Sequence, residues 1–503
     1  MRSIRTQPYG LPRYLLPVLL AGLFAFAFLP GLDNQLVSDD WVFVYRGAEV
    51  DSLQEALLPP ERGWFSRPVI WILSFGLARG FGTEAPVFHS ASLLFHLANA
   101  LLLGSLLSLL LAHWRTVETL SRPARRLVIW GAGAFFLFYP LHHEAVFWYA
   151  SITELTALFG RLLLLHACVR SLYPPSDRPA LRLAANGLVA GVGLALALAS
   201  KESAAVLPGE LFLLVVLGAW PWPGERWSSL LRPRFAWTLF SICSLVTLAW
   251  LLWYRTTRGF SVDQLRVLEA GPGEWILRGT QGVARAVLAG EIVRDPRLLS
   301  VAAVAGAAVF ALAVRRGERL VLFGASWLVL CLLPYLAIGS VADHEAQVPI
   351  LHRSIGVADD RYFYSAAAAL ALLVPALVLW LSKEATRLDR DLGTRALGCG
   401  LAVLLAAAAA GAWRLSRYER QWDAAGDLLD RTRLEIAAEL PLPIEEGELV
   451  CVHSPPDSLE GRYVLRNGIA QLVWLHAGHR RFGVVVPRSS APPACTRRLF
   501  LGD

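Results

Sequence analysis

The sequence predicts an all-α polytopic membrane protein with a small C-terminal extracytoplasmic α+β module, and three observations predict it. Of its 503 residues 55% are hydrophobic and only 17% charged, with a mean hydropathy of +0.48, too apolar for a soluble globular chain. Apolar stretches long enough for a bilayer recur about eleven times before residue 413. After Trp413 the chain turns polar and reads first as a charged helix, then as short strands.

Crossing the hydrocarbon core takes about 17–25 apolar residues. Such stretches fall at 14–30, 86–112, 127–141, 152–172, 183–199, 204–220, 235–254, 299–314, 320–338, 362–381 and 397–413, with 127–141 and 299–314 the shortest. The first reads as a retained span, because no small-residue cleavage site follows it. Residues 1–413 therefore form a membrane domain. Its first outer loop, 31–85, carries Trp64-Phe65-Ser66-Arg67-Pro68 and an aromatic, amphipathic stretch to Phe81, which suits an interfacial helix. A long outer loop, 255–298, mixes Arg255, Arg258, Asp263, Arg266, Trp275, Arg278 and Arg285; a shorter one, 339–361, ends in Asp359-Asp360-Arg361-Tyr362.

Residues 414–503 form the C-terminal module. Residues 414–435 have helical spacing, and stretches such as 448–452 and 481–486 read as strands between Pro-Pro and Asn-Gly turns. A unit of this size buries little core alone, so it is expected to lean on the membrane domain. Cys168, Cys243, Cys331 and Cys399 lie in or beside spans; Cys451 and Cys495 share the module, where a disulfide is chemically permitted.

Arginine distribution orients the chain. Arg2, Arg5 and Arg13 precede the first span. The alternate loops carry Arg115, Arg122, Arg125 and Arg126, then Arg178 and Arg182, Arg226, Arg232 and Arg234, Arg315, Arg316 and Arg319, and Lys383, Arg387, Arg390 and Arg395. Loop 142–151 has neither Lys nor Arg. The N-terminus is thus expected in the cytoplasm and the C-terminus outside. The net charge of +7 follows from this bias, and no nucleic-acid partner is implied.

Four charged motifs fall on the opposite, outer side, where charges beside hydrocarbon persist when they bind something or line a watery cavity. Asp39-Asp40 follows the first span. Paired carboxylates repel, and that suits one as base toward an acceptor hydroxyl and the other as orienter or cation ligand. His142-His143-Glu144 follows the third span; with Asp40 it could ligate a divalent cation such as Mg or Mn. Lys201 is one of only two lysines among 47 basic residues, and a compact ammonium suits a phosphate oxygen. Arg361, and with it Arg67, offers a planar fork for phosphate. Each motif alone also reads as an interfacial turn, a snorkelling end or an aromatic anchor. Their common sidedness is what makes a site.

The motifs come in an order that resembles the GT-C superfamily of polytopic glycosyltransferases, and within it the bacterial relatives of the protein O-mannosyltransferases and of the tetratricopeptide-bearing transmembrane O-mannosyltransferases. The residues that carry the resemblance are Ser38-Asp39-Asp40, Ser66-Arg67-Pro68, Phe95-His96-Leu97-Ala98-Asn99-Ala100, Tyr139 to Val146, Ser200-Lys201-Glu202-Ser203 with Pro208, and Asp360-Arg361-Tyr362-Phe363-Tyr364. The resemblance implies an inverting transferase, hexosyl or mannosyl, that takes its sugar from a polyprenyl-phosphate donor in the lipid bilayer. It places the base on Asp39 or Asp40, with Asp39 favoured, a second acid on Glu144, and the donor-phosphate cations on Arg361, Lys201 and Arg67. No tetratricopeptide array follows the membrane part, so a glycan, lipid or protein acceptor stays open. A bacterial plasma-membrane location is expected.

Two other classes share this outline. A transporter or flippase would carry charges near mid-membrane and internal repeats, and the sequence shows neither. A lipid-linked oligosaccharide ligase or polymerase uses a related donor, and the arginines of loop 255–298 fit it as well.

Overall fold

In a computed structural model the chain is described over residues 15–57, 67–114, 120–173, 179–219, 233–258, 272–288, 296–336, 360–456, 458–459, 462–465, 468–487 and 495–501. Trp64, Phe65, Ser66, Asp263, Arg266 and Asp359 lie outside the described residues, as do the side chains of Trp275 and Arg278.

Each apolar stretch becomes a helix. In chain order these are α1 Leu15–Phe28, α2 Asp40–Glu49, α3 Leu53–Leu57, α4 Pro68–Phe81, α5 Ala85–His113, α6 Arg122–Leu137, α7 His143–Phe147, α8 Ile152–Leu172 and α9 Pro179–Ser200. They continue with α10 Leu207–Ala219, α11 Arg234–Arg258, α12 Pro272–Val287, α13 Pro296–Arg316, α14 Arg319–Leu336, α15 Tyr364–Leu388 and α16 Arg390–Glu439. Among the described residues seven segments are both long and apolar enough to cross a bilayer, and α1, α4 and most of α14 are shorter apolar helices. The stretch 299–314 folds within α13, whereas α6 takes 127–141 only as far as Leu137, the rest running into the turn Pro140–His142; both helices carry arginines at an end. Helix α4, 14 residues long, rises only about 21 Å, short of a hydrocarbon core of about 30 Å. That length fits the expected interfacial helix.

Small residues let the helices close up. A Cβ on Gly160 of α8 would sit 2.5 Å from the Gly193 carbonyl oxygen of α9, and one on Gly193 would sit 2.6 Å from that of Gly160. This is the close backbone approach that drives helix association where no water can be expelled. One buried ion pair also ties the bundle together. Arg161 of α8 reaches Glu210 of α10, Ser365 of α15 at 2.7 Å and Cys331 of α14 at 3.1 Å. Trp327 donates to the same Glu210 at 2.9 Å, so the carboxylate meets several donors, as a charge in a low-dielectric interior requires.

The last helix corrects the expectation of a separate charged helix after 413. Helix α16 has 50 residues, about 75 Å at 1.5 Å per residue, and residue 413 lies within it. Its first half is largely exposed along the bundle. Its second half buries Leu415, Trp422, Ala425, Leu429 and Ile436, an i, i+3, i+4, i+7 stripe against which the outer loops and the module pack.

The module holds β1 Leu449–His453, β2 Ser458–Leu459, β3 Arg462–Tyr463, α17 Ile469–Ala477, β4 Gly483–Val485 and β5 Arg497–Phe500. Strand β1 is central in a parallel sheet of order β4-β1-β5, and β2 pairs antiparallel with β3. Cys451 and Cys495 are disulfide-bonded, with Cα atoms 5.7 Å apart. As expected of so small a unit, its core is continuous with that of the membrane part through Ile436, Leu440, Val450 and Leu472.

Candidate active site

The site assembles at one end of the bundle from five segments distant in sequence. Asp39 and Asp40 open α2, and their environments differ. Asp40 is fully buried; its Oδ2 accepts from the Val37 N–H at 3.0 Å and its Oδ1 from the Ala150 N–H at 2.6 Å. Burial holds its carboxyl well above the usual range, opposed by these amide bonds. This carboxylate staples the first outer loop to the turn 149–151. Asp39 stands at the N-cap and is half-buried, and Ser38 before it holds a φ of +51°, a region that residues with a Cβ seldom adopt.

The second segment is the turn from Pro140 through α7. His143 is buried; its Nε2 lies 2.9 Å from Asp360 Oδ2, and Trp422 of α16 donates its indole N–H to Nδ1 at 3.4 Å. An indole only donates, so Nδ1 accepts and Nε2 carries the proton toward Asp360, an assignment drawn from the network. Burial pushes the imidazole down to about 4, aided by Arg462 and Arg285 and opposed by Asp360; at neutral pH the ring is uncharged. Glu144 accepts from the Arg361 backbone N–H at 3.2 Å and lies 3.6 Å from the Arg361 guanidinium. Asp360 in turn takes Arg285 at 2.5 Å.

Of the three cations singled out from sequence, Lys201 and Arg361 meet at the Tyr362 ring, and the charge of Arg67 lies near enough to act on Lys201. Lys201 Nζ stands 4.6 Å from the ring centroid, and the Arg361 guanidinium 4.7 Å from it and 4.7 Å from that of Trp148. Lys201 pairs with Glu154, which is wholly buried at the start of α8. Arg67 forks onto Glu202 at 3.2 and 2.9 Å, and Tyr254 donates to the same carboxylate at 3.2 Å. Burial pushes the Lys201 ammonium down to about 8, with Glu154 opposing and the neighbouring Arg67 and Arg361 charges adding to the fall. Each cation is thus held near an acid where three positive charges come together.

Two candidate ligands stand apart from the rest. Asp40 does not join the candidate metal ligands, because both its oxygens are engaged by backbone amides. Nor does His142, which is buried among His96, Phe136, Tyr139 and Tyr364. Among the described residues the grouping that could hold a cation is instead His143, Glu144 and Asp360, whose ligand atoms lie within 4.8 Å of one another. Those atoms already meet Arg285, Arg361 and the His143 proton, so two cations balance two carboxylates. A divalent ion would have to displace these contacts. The motif Phe95 to Ala100 turns out to be structural: His96 and Asn99 bind the Tyr364 hydroxyl at 2.9 and 3.1 Å inside the bundle.

Sequence reasoning left Glu154, Arg285, Tyr418, Trp422 and Arg462 without a role. Glu154, an acid at the edge of an apolar span, was the one with a signal. The aromatic and basic residues of α16 and the module have no local mark. Only the fold brings Tyr418 to 4.3 Å from the His143 ring.

Comparison with protein-family models and with curated protein sequences gives no match. Among solved structures the chain is similar to ArnT from Cupriavidus metallidurans in the apo state, with a TM-score of 0.50 at 14% identity over 94% of this chain and 86% of that one. Against ArnT from the same organism bound to undecaprenyl phosphate the values are 0.48 and 14% over 95% and 87%. The likeness is one of fold, an ArnT-like membrane architecture. It gives no support to the O-mannosyltransferase relationship that the motifs suggest.

Proposed function

We propose that the chain is an inverting GT-C-type glycosyltransferase. It moves a sugar, hexosyl or mannosyl, from a polyprenyl-phosphate donor to a hydroxyl of a glycan, lipid or protein at the outer face of a bacterial plasma membrane. One observation carries the reading: Lys201 and Arg361 come from separate segments to the Tyr362 ring, with the charge of Arg67 from a third segment near enough to act on Lys201, beside the loops that hold Asp39 and Glu144. The fold shared with ArnT points the same way, and the arginine-rich loops at the opposite end argue for the outer side.

In this reading the donor lies in the bilayer with its phosphate against the three cations. Asp39 takes the acceptor proton while the acceptor oxygen bonds to the anomeric carbon. The bond from that carbon to the phosphate oxygen breaks, and its electron pair leaves with the polyprenyl phosphate. A single displacement inverts the anomeric centre. Stabilising the departing phosphate is the largest contribution expected of the protein, and the base adds about 10² to 10⁴-fold. Glu144 acts through Arg361, which it holds at backbone and side chain. Asp360 and the neutral His143 fix the start of the same segment. No step needs a metal ion, since Arg285 and Arg361 already balance Asp360 and Glu144.

The test is a donor assay on the purified protein in nanodiscs. Undecaprenyl-phosphate mannose or glucose should give a product of inverted anomeric configuration and free undecaprenyl phosphate, at the same rate with EDTA present. Transfer only from diphosphate-linked oligosaccharides would overturn the reading in favour of a ligase, and loss of activity with EDTA would return His143, Glu144 and Asp360 to metal binding.

A further inference from the structure

We infer that the C-terminal module is a strut that sets Asp39 relative to the donor-phosphate cations, with Arg462, Val464 and Gly468 as positioning residues; the inference rests on the roles proposed above for Asp39 and the cations.

The module touches both halves of the site from one short stretch of chain. On the side of the base, the Ser38 N–H donates to the Val464 carbonyl at 2.8 Å. Gly468, the N-cap of α17 with φ +85°, backs directly onto the Ser38 carbonyl. A Cβ there would lie 2.3 Å from the Ser38 oxygen and 3.2 Å from Trp41 Cβ. Ser38 itself sits at φ +51°, and a conformation of that kind persists only when its surroundings enforce it. Here the module supplies part of that enforcement. The residue so held is the one before Asp39.

On the side of the cations, buried Arg462 gives Nε and Nη2 to Gln421 Oε1 at 3.2 and 2.8 Å. Its guanidinium lies 5.0 Å from the Tyr418 ring and 5.8 Å from that of Trp422. These are the two aromatic residues that seat His143, one by ring contact and one by its indole N–H. Tyr463 packs 5.0 Å from Trp148, the ring over which Arg361 lies. The base loop and the cation segment thus meet a common support. A shift of about 1 Å between reacting groups costs on the order of a hundredfold in rate, which gives such a support something to do.

Two glycines of α17 separate the strut from mere folding. Gly468 and Gly478 both have positive φ, but a Cβ on Gly478 meets nothing within 4 Å. Gly468→Ala and Gly478→Ala therefore share the backbone penalty of a side chain at positive φ, and only the first pushes on Ser38. Amide hydrogen exchange of residues 36–43 in nanodiscs reads the grip directly. Gly468→Ala should speed exchange at the Ser38 amide by roughly tenfold or more and lower turnover with undecaprenyl-phosphate mannose, while affinity for undecaprenyl phosphate stays within about twofold of the parent. Gly478→Ala should change none of these. Arg462→Gln should do the reverse of Gly468→Ala, weakening undecaprenyl phosphate binding and leaving Ser38 exchange alone. Equal losses in the two glycine variants, or an unchanged Ser38 amide in Gly468→Ala, would overturn the strut. If the parent protein neither binds undecaprenyl phosphate nor transfers sugar, the glycosyltransferase reading falls, and the exchange experiment still decides whether the module grips the loop.

Discussion

Replacing Lys201 by Met separates its pairing with Glu154 from its proposed contact with a donor phosphate. Glu154 is wholly buried and Lys201 nearly so. Removing one partner of a buried pair costs about 3 kcal/mol or more, because the surviving charge stays desolvated. The single variant should therefore unfold at a clearly lower temperature in detergent. Adding Glu154→Gln removes the stranded charge, and the double variant should recover to within about 1 kcal/mol of the parent. Binding of undecaprenyl phosphate should not recover. A charge-assisted contact to phosphate contributes about 2 kcal/mol, close to a thirtyfold change in Kd, and both variants lack the ammonium. Thermal unfolding and titration with undecaprenyl phosphate on the same three proteins give the answer. Parental affinity in the double variant would refute the phosphate role and leave Lys201 a structural cation.

Two further outcomes follow from the same geometry. Lys201 is held down to about 8 by burial and by Arg67 and Arg361, so it is charged below that pH and neutral above it; donor KM should rise as pH passes about 8, and Lys201→Arg, which keeps its charge, should flatten that limb of the profile. The two aspartates should part company: Asp39→Asn abolishes transfer with unchanged thermal unfolding, whereas Asp40→Asn turns an amide donor toward a backbone N–H and destabilises the protein by about 1–3 kcal/mol, read as a lowered unfolding temperature.

The sequence by itself determined the membrane class, where the apolar helices fall and which charged residues are candidates for the site. Hydrocarbon imposes length and apolarity on every span, so the pattern survives without any tertiary information. The same cost makes each charge near a span conspicuous, which is why Asp39, Glu144, Lys201 and Arg361 stood out. What a local pattern cannot carry is pairing. That Asp40 would be consumed by the amides of Val37 and Ala150, that His142 would turn into an aromatic core while His143 faced Asp360, and that Lys201 would meet Glu154 were decided by packing between segments up to 217 residues apart. The continuous α16 was likewise hidden, because its first half is selected by lipid and its second by the module, so hydropathy changes midway while the backbone does not. Arg462 reaches the site only because α16 carries Tyr418 and Trp422 there to receive it, and nothing in its own neighbourhood of sequence records that destination.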